Sequence, residues 1–471
     1  MLGTWQPVPL IGQPYENVEE VELDNMNATV VDGYVNEMDH IIKRPGLTSW
    51  KTLGTSLSVD GLYWWDEQDC VIAVSNSRVW KITDAAGTMS EITGSTALLA
   101  GGIVSFATDG TKLNMANGGA MVHTDLSTLT TMADAQAPTT VYDVASLDGY
   151  MLAMGLSDVN FSDPLDMTSW LALDFFNPEG TPDDNLAMME GFRELIILGQ
   201  RSVEFWVNDG QTPFSRLSGG SQPYGCGARK SLQRTGGTWI WLGDDRRLLS
   251  MNGRSVESVS NPYERVIQRY SSVTDAVAFV SSIDGYPLYV CNFPAAGQTL
   301  VYNYQTKKWS KWGYWNSNKG TYERYRGQVY CYAKKWNFHL VGDWANGIIY
   351  KMDRSTYTDN GNPIRTIIRT GLISHGTSMT KRSHCLRLRL KRGQGNSDVT
   401  EPQVSIRRRV DGKGQWENER FGSLGQVGQH EVHLEWRRNG IYRTVQYEIT
   451  HADASDFVLV GADELVEPLG R

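Results

Sequence analysis

The sequence predicts an all-β protein: a β-propeller of about seven blades, with six to eight compatible with the spacing, followed by a C-terminal β-sandwich. Three observations lead there. Units of short apolar strands recur about every 40–50 residues between Thr55 and Asp353, the spacing of propeller blades. The 47 glycines and 16 tryptophans favour many short strands and tight turns over helices. Beyond Asp353 the pattern changes to longer runs that alternate apolar and polar residues with period two. A sheet of three or four strands buries one face and leaves its edges open, whereas radial stacking buries both faces and protects the edges. An open β-solenoid is the alternative, and the long polar excursions between strands fit it poorly. The expected division is an N-terminal wrapping segment (1–54), a propeller (55–353) and a sandwich (354–471).

The N-terminal segment is loosely patterned, with Pro7, Pro9 and Pro14, an acidic run from Glu16 to Asp24, and turns at Asp32-Gly33 and Arg44-Pro45-Gly46. It lacks the pattern to fold alone and is expected to wrap against the downstream part of the chain. The first propeller units read 61–83, 101–125 and 141–163, with turns at Asp109-Gly110, Asn117-Gly118 and Asp148-Gly149. Such dipeptides supply the positive φ that tight hairpins need. Ser157 to Gly210 reads as one meander. Its strands lie near Val159–Phe161, Leu186–Met189, Glu194–Leu198 and Ser202–Val207, with a polar excursion from Asp163 to Asp184 broken by Pro164, Pro178 and Pro182. In the last strand Val203 and Phe205 take one face, Glu204 and Trp206 the other. Units at 236–260, 275–313 and 320–353 complete the set. One helix of two to three turns is expected after Asn261, its N-cap, and Pro262, its first residue, with Val266, Ile267 and Tyr270 on its packing face.

Past Asn360-Gly361 and Pro363, segments 384–393, 403–412, 428–440 and 442–451 each alternate. Leu386, Leu388 and Leu390 point inward while Arg387, Arg389 and Lys391 point out, as in an antiparallel sandwich with one wet face per sheet.

Charge divides along the same line. The chain carries a net charge of −9, which argues against tight, sequence-independent nucleic-acid binding by the whole chain. Residues 354–471 hold roughly +4, which leaves roughly −13 for the rest. Lys381, Arg382, Arg387, Arg407, Arg408, Arg409, Arg437 and Arg438 are the candidate interaction surface, either as solvated edge protectors or as contacts to a neighbouring subunit or a phosphate. No apolar run approaches the ~20 residues needed to span a bilayer. The start of the chain lacks a signal-peptide pattern. Five scattered cysteines, never in CxxC spacing, suggest neither a disulfide framework nor a zinc site, and fit synthesis in a reducing cytosol.

Catalytic patterns are missing. His430-Glu431-Val432-His433 has the wrong spacing for HExxH, and GxSxG and GxxxxGK[ST] do not occur. Asp183-Asp184 and Asp244-Asp245 sit among turn formers and read as solvated loops, with calcium or glycosidase chemistry as the sharper alternative. Trp309, Trp312, Tyr314 and Trp315 read as blade core and rim, with sugar stacking as the alternative. No catalytic, metal or cofactor residues are expected.

Several stretches resemble the tail hub, or nozzle, of short-tailed bacteriophages, also called the packaged-DNA stabilisation protein. In order they are Asn25-Met26 with Arg44-Pro45-Gly46, Ser162 to Trp170 followed by Gly180 and Pro182-Asp183, and Gly199-x-x-Ser202-x-Glu204-x-Trp206. Gly225-Cys226-Gly227-Ala228, Asn261 to Ile267 and Val301 to Trp309 come next. The resemblance covers about residues 20 to 350, and its order is more specific than any one motif. It implies a structural virion protein of the tail, made in the host cytoplasm. The protein would assemble with itself as a six-fold ring below the tail adaptor under the portal and extend the DNA channel. It would also help retain packaged DNA and anchor tail fibres or spikes and the tail needle or plug. Genomic DNA would pass without sequence-specific binding, and an acidic propeller would not stick to its phosphates. A glycan-binding or glycan-cleaving propeller of a phage tail, or a generic propeller interaction platform, are the alternatives.

Overall fold

A computed structural model of the chain describes residues 3–11, 29–178, 180–210, 213–412, 414–429 and 434–469. The acidic run from Glu16 to Asp24, the Asn25-Met26 pair and the His430 to His433 stretch lie outside the described residues.

Among the described residues, seven four-stranded antiparallel blades are present, five as separate sheets and blades six and seven within larger ones. Blade one runs Gly61–Trp65, Cys70–Ser75, Arg78–Ile82, Met89–Ile92, and blade two runs Ser105–Thr108, Leu113–Ala116, Val122–Thr124, Leu129–Thr131. Blade three is Asp143–Leu147, Tyr150–Met154, Val159–Asp163, Asp166–Phe176, and blade four is Asn185–Gly191, Glu194–Gly199, Val203–Asn208, Phe214–Gln222. Blade five is Gln233–Thr235, Thr238–Leu242, Leu248–Asn252, Ser255–Ser258, and blade six is Val277–Ile283, Tyr286–Phe293, Gln298–Asn303, Lys308–Asn316. Blade seven takes Gly327–Ala333, Phe338–Asp343 and Ile348–Asp353 from late in the chain, and its outer strand, Gly46–Thr52, from near the start.

Stacking explains the composition. Each pair of adjacent blades shares one apolar cluster. Blades three and four meet through Phe161, Phe176, Trp206 and Phe214, and blades four and five through Val203, Phe205, Trp239 and Trp241. The circle closes through Leu62, Trp64, Trp80 and Leu340 between blades seven and one. A blade strand therefore buries side chains on both faces. Val203 and Phe205 enter one cluster and Trp206 the next, as the alternation predicts, and the Glu204 carboxylate between them accepts from Trp206 Nε1 at 3.0 Å and from Gly180 N at 2.5 Å.

Two expectations are corrected here. The stretch from Ser157 to Gly210 spans two blades, because its supposed polar excursion contains the 11-residue strand Asp166–Phe176, which completes blade three. Met167, Trp170 and Phe176 anchor that strand inward, and prolines only flank it. The helix is one short turn and a half, Glu264–Gln268, entered from Tyr263. Asn261 and Pro262 form the turn before it, and Tyr263 and Ile267 pack between blades five and six.

The C-terminal strands form two sheets facing one core. One sheet has Lys381–Leu390 between Leu434–Tyr442 and Val458–Pro468. The other has Val445–His451 between Thr366–Arg369 and Gln403–Val410. Leu386 and Leu388 point into the core, and Leu390 packs at its margin. The beginning of the chain belongs to these sheets. Thr4–Pro7 and Ile41–Lys43 pair with Val458–Pro468, Thr29–Val31 pairs with Thr366–Arg369, and Val8, Leu10, Val30, Val35 and Ile41 fill the sandwich core. A single parallel pairing, Val31 to Lys311, links the second sheet to blade six.

Candidate interaction surface and propeller axis

The innermost strands of the blades converge on one axial cavity of about 180 Å³, lined by residues of all seven blades, including Leu62, Phe106, Met188, Gln233, Phe279 and Gln328. Asp143, at the inner start of blade three, lines it. Its Oδ1 meets Lys230 Nζ at 2.6 Å and accepts from Ser105 Oγ, and its Oδ2 accepts from Met188 N at 3.1 Å. One carboxylate thus ties blades two, three and four to the segment that leads into blade five. Lys230 also donates to Tyr142 O at 3.1 Å. Nothing in the spacing of these residues announced the pair, which only ring closure brings together.

A second buried centre joins propeller to sandwich. Arg44 is fully buried. It donates to Asp32 Oδ1 at 2.7 Å, to Asp359 Oδ1 and Oδ2 at 2.8 and 2.5 Å, to Gly313 O at 2.8 Å and to Pro45 O at 3.1 Å. Its guanidinium lies 5.1 Å from the Tyr325 ring centroid. Burial alone would lower its affinity for the proton, but the carboxylates of Asp359 and Asp32 outweigh this and hold it well above the ordinary value. The Arg44-Pro45-Gly46 turn was visible in the sequence, whereas its carboxylate partners were not.

The eight basic candidates separate. Lys381 is 1 % exposed, and its Nζ caps the preceding turn through Thr377 O at 2.7 Å and Met379 O at 2.9 Å. It is a structural group and is removed from the surface set. Arg409 is buried and donates to Gln446 Oε1 at 2.7 Å. Arg407 pairs with Glu448 at 2.5 Å, Arg408 with Glu417 at 2.7 Å and Arg387 with Glu435 at 2.7 Å. Arg387 also lies over the Trp5 ring at 4.4 Å. Arg382 reaches Glu467 only at 3.9 Å, and Arg437 meets Glu435 at 3.1 Å while remaining exposed. Arg438 is exposed, with φ of 60°, and among the described residues no carboxylate lies within ion-pair range of it. Neighbouring carboxylates thus neutralise much of a run that reads as basic in the sequence, and the positive corner that survives is Arg438, with Arg420 and with Arg437, which shares Glu435 with Arg387, beside it.

The alternative chemistries find structural partners instead. Trp309 and Trp312 are core residues whose indole N–H groups donate to Val259 O and Gly33 O. Asp183 accepts from Arg201 N at 2.6 Å, and Asp245 is ion-paired to Arg247. The five cysteines are buried and unpaired. Among the described residues, no group of three or more His, Cys, Asp or Glu is placed to hold a metal ion, and no helix is long and apolar enough to cross a membrane.

The fold and its surface define a β-propeller scaffold fused to a sandwich. Residues 19–357 match the family model described as Phage_stabilise, Bacteriophage P22 Gp10, beta-propeller. The chain belongs to that family, and its role is that of a phage structural protein. A comparison with curated proteins gives no match. Among solved structures, the N-terminal domain of Nup159 is 9 % identical, covers 69 % of this chain and 98 % of its own, and superposes with a TM-score of 0.42. U3-55K is 10 % identical over 65 % and 99 %, with a TM-score of 0.40. YCF48 bound to D1 peptide is 12 % identical over 66 % and 97 %, with a TM-score of 0.41.

Proposed function

We propose that this chain is a tail hub, or nozzle, of a short-tailed phage. Copies assemble as a ring, six in number by the family resemblance, below the adaptor under the portal. The ring extends the DNA channel, helps retain packaged DNA, and offers attachment to tail fibres or spikes and to a needle or plug.

The observation that carries the channel part of this reading is the convergence of side chains from all seven blades on a small cavity near the axis. A cavity of about 180 Å³ has room for on the order of a dozen waters. A duplex, whose major groove alone is about 12 Å wide, is far larger than that cavity, which supports a DNA path between copies rather than through one propeller. The family match supports the structural role. The propeller's negative charge suits passage, since like charge keeps a sliding duplex from binding its walls. Of the eight basic candidates, Arg382, Arg437 and Arg438 remain exposed and available for contacts between subunits.

Mass photometry and negative-stain imaging of the purified full-length chain, alone and mixed with the portal–adaptor assembly, test the proposal. A ring seated on the adaptor is expected. A chain that stays monomeric and ignores the adaptor overturns it. Neutralising acidic residues that face the channel of such a ring is expected to slow DNA release.

A further inference from the structure

Propeller blades expose one edge each, on the outermost strand, and this chain disposes of most of those edges. The outer strands of blades one, two and five are only four, three and four residues long. Blade six is covered by Thr29–Val31 and Thr321–Arg324, and blade seven by Thr358–Asp359. Short or covered edges are the usual protection against unwanted pairing. Blades three and four depart from it, with outer strands of 11 and 9 residues that end their sheets.

Both long strands swell at the same place. Leu171 to Asp174 lie opposite the single residue Phe161, between the pairs Ser162–Trp170 and Asn160–Phe175. Leu217 to Gly220 lie opposite Phe205, between Glu204–Ser221 and Trp206–Arg216. The blade-four swelling is Leu-Ser-Gly-Gly, and its leucine is half-buried. The blade-three swelling is Leu-Ala-Leu-Asp followed by Phe175. Leu171, Leu173 and Phe175 are 53 %, 85 % and 43 % exposed. An exposed, long, apolar edge strand is a site for another chain. Asp174 sits within this strip. Among the described residues no cation lies within ion-pair range of it, and partial burial together with the neighbouring Asp163 raises its proton affinity. A partner for the strip therefore has to present apolar surface together with positive charge.

The sandwich carries such a surface. Ile441 is 51 % exposed on Leu434–Tyr442, the strand that ends its sheet. Arg437 and Arg438 lie on the same strand, and Arg420 reaches over from the facing sheet to donate to Arg437 O at 3.3 Å and Asn439 Oδ1 at 2.6 Å. Burial, and then Arg408, make Arg420 less basic than usual. One molecule thus holds an acidic apolar strip on blade three and a basic apolar corner on the sandwich. Two different complementary patches on one chain make a head-to-tail contact, the kind that closes rings.

We propose that the blade-three strip, Leu171, Leu173, Asp174 and Phe175, docks on the Arg437, Arg438 and Ile441 corner of a second copy of this chain. The contact rests on the ring reading above and names the surfaces that build the ring.

The test uses the full-length chain under the conditions in which wild type assembles. Because the native cysteines are all buried, Leu173→Cys and Ile441→Cys supply the accessible thiols. A short bismaleimide is expected to link the two single variants to each other and to ladder the double variant. Asp174→Arg and Arg438→Asp are each expected to weaken assembly about tenfold, and together to restore it to within a few-fold of wild type. Unchanged circular dichroism and thermal unfolding show that each variant folds. Rings that form without these links or this charge exchange overturn the contact and leave the ring reading standing. Links within Leu173→Cys alone overturn it in favour of strip-to-strip pairing. A wild-type chain that never assembles, with or without the adaptor, overturns both.

Discussion

Arg44 and Asp359, 315 residues apart in the chain, meet in a two-point ion pair with both side chains withdrawn from water. Asp32 closes the other side of the same guanidinium, and its second oxygen accepts from Tyr322 Oη at 2.6 Å. Breaking such a pair leaves a buried charge uncompensated. Arg44→Met is therefore expected to cost about 3–5 kcal/mol, read as a lower denaturation midpoint in urea. Arg44→Lys is expected to fall well short of rescue, because a lysine cannot supply the planar fork that two carboxylates and two carbonyls share.

Acid sensitivity is expected from His451. Its Nδ1 lies 2.9 Å from Gln403 O and therefore carries the proton, which leaves Nε2 to accept from Ser455 Oγ at 3.2 Å. Ser455 O also lies 3.4 Å from Nε2, and burial rather than this pattern keeps the ring neutral. Burial, reinforced by Lys43, lowers its pKa to about 4. The unfolded ring takes up its proton near pH 6.5 and the folded ring only near 4, so stability is lost as pH falls between those values. The loss amounts to about 3 kcal/mol. Unfolding of His451→Asn, followed against pH, is expected to show a shallower decline over that window than wild type.

Asp143 holds four parts of the ring at once, so its removal should outweigh an ordinary surface substitution. Asp143→Ala strands the Lys230 ammonium and the Met188 N–H near the axis, at an expected cost of about 3 kcal/mol. Asp143→Asn keeps the acceptor for Met188 and should cost less. Hydrogen exchange is expected to rise first along the innermost strands of blades two to five.

Gly46 begins the strand that completes blade seven, and a Cβ there would lie 2.5 Å from Thr358 O and 2.6 Å from Thr356 O. Backbone oxygens on both sides leave no room to yield. Gly46→Ala is expected to destabilise by about 2–3 kcal/mol, and limited proteolysis of the variant should cut near the junction of blades seven and one.

The blades were legible because tight turns carry their own chemistry. Asp-Gly and Asn-Gly pairs mark hairpins whatever the tertiary context, and the unit spacing repeats along the chain. The Asp166–Phe176 strand was not legible. Proline and aspartate around it resemble a loop, and only the neighbouring blades give Met167, Trp170 and Phe176 somewhere to go. The origin of blade seven's outer strand was equally hidden, since Gly46–Thr52 pairs with residues about 300 positions away. Among the basic candidates, the arginines were plain in the sequence but their carboxylates were not. Glu435, Glu448 and Glu417 stand beside Arg387, Arg407 and Arg408 through strand register and loop return, neither of which local pattern contains.

The pairing of Gly46–Thr52 with Ile348–Asp353 also sets a clock. On a ribosome adding about 5–20 residues per second, the early strand waits about 15–60 s for its partner to be made. Through that interval the blades already synthesised stand in an unclosed arc, and the sandwich strands that Thr4–Pro7 and Ile41–Lys43 need do not yet exist. Closure of the circle therefore waits for the seventh blade, and the sandwich sheets are completed later still. A product that stops before Ile348–Asp353 lacks a finished circle, and one that stops between there and Val458–Pro468 has the circle but leaves Thr4–Pro7 and Ile41–Lys43 without their partner strand.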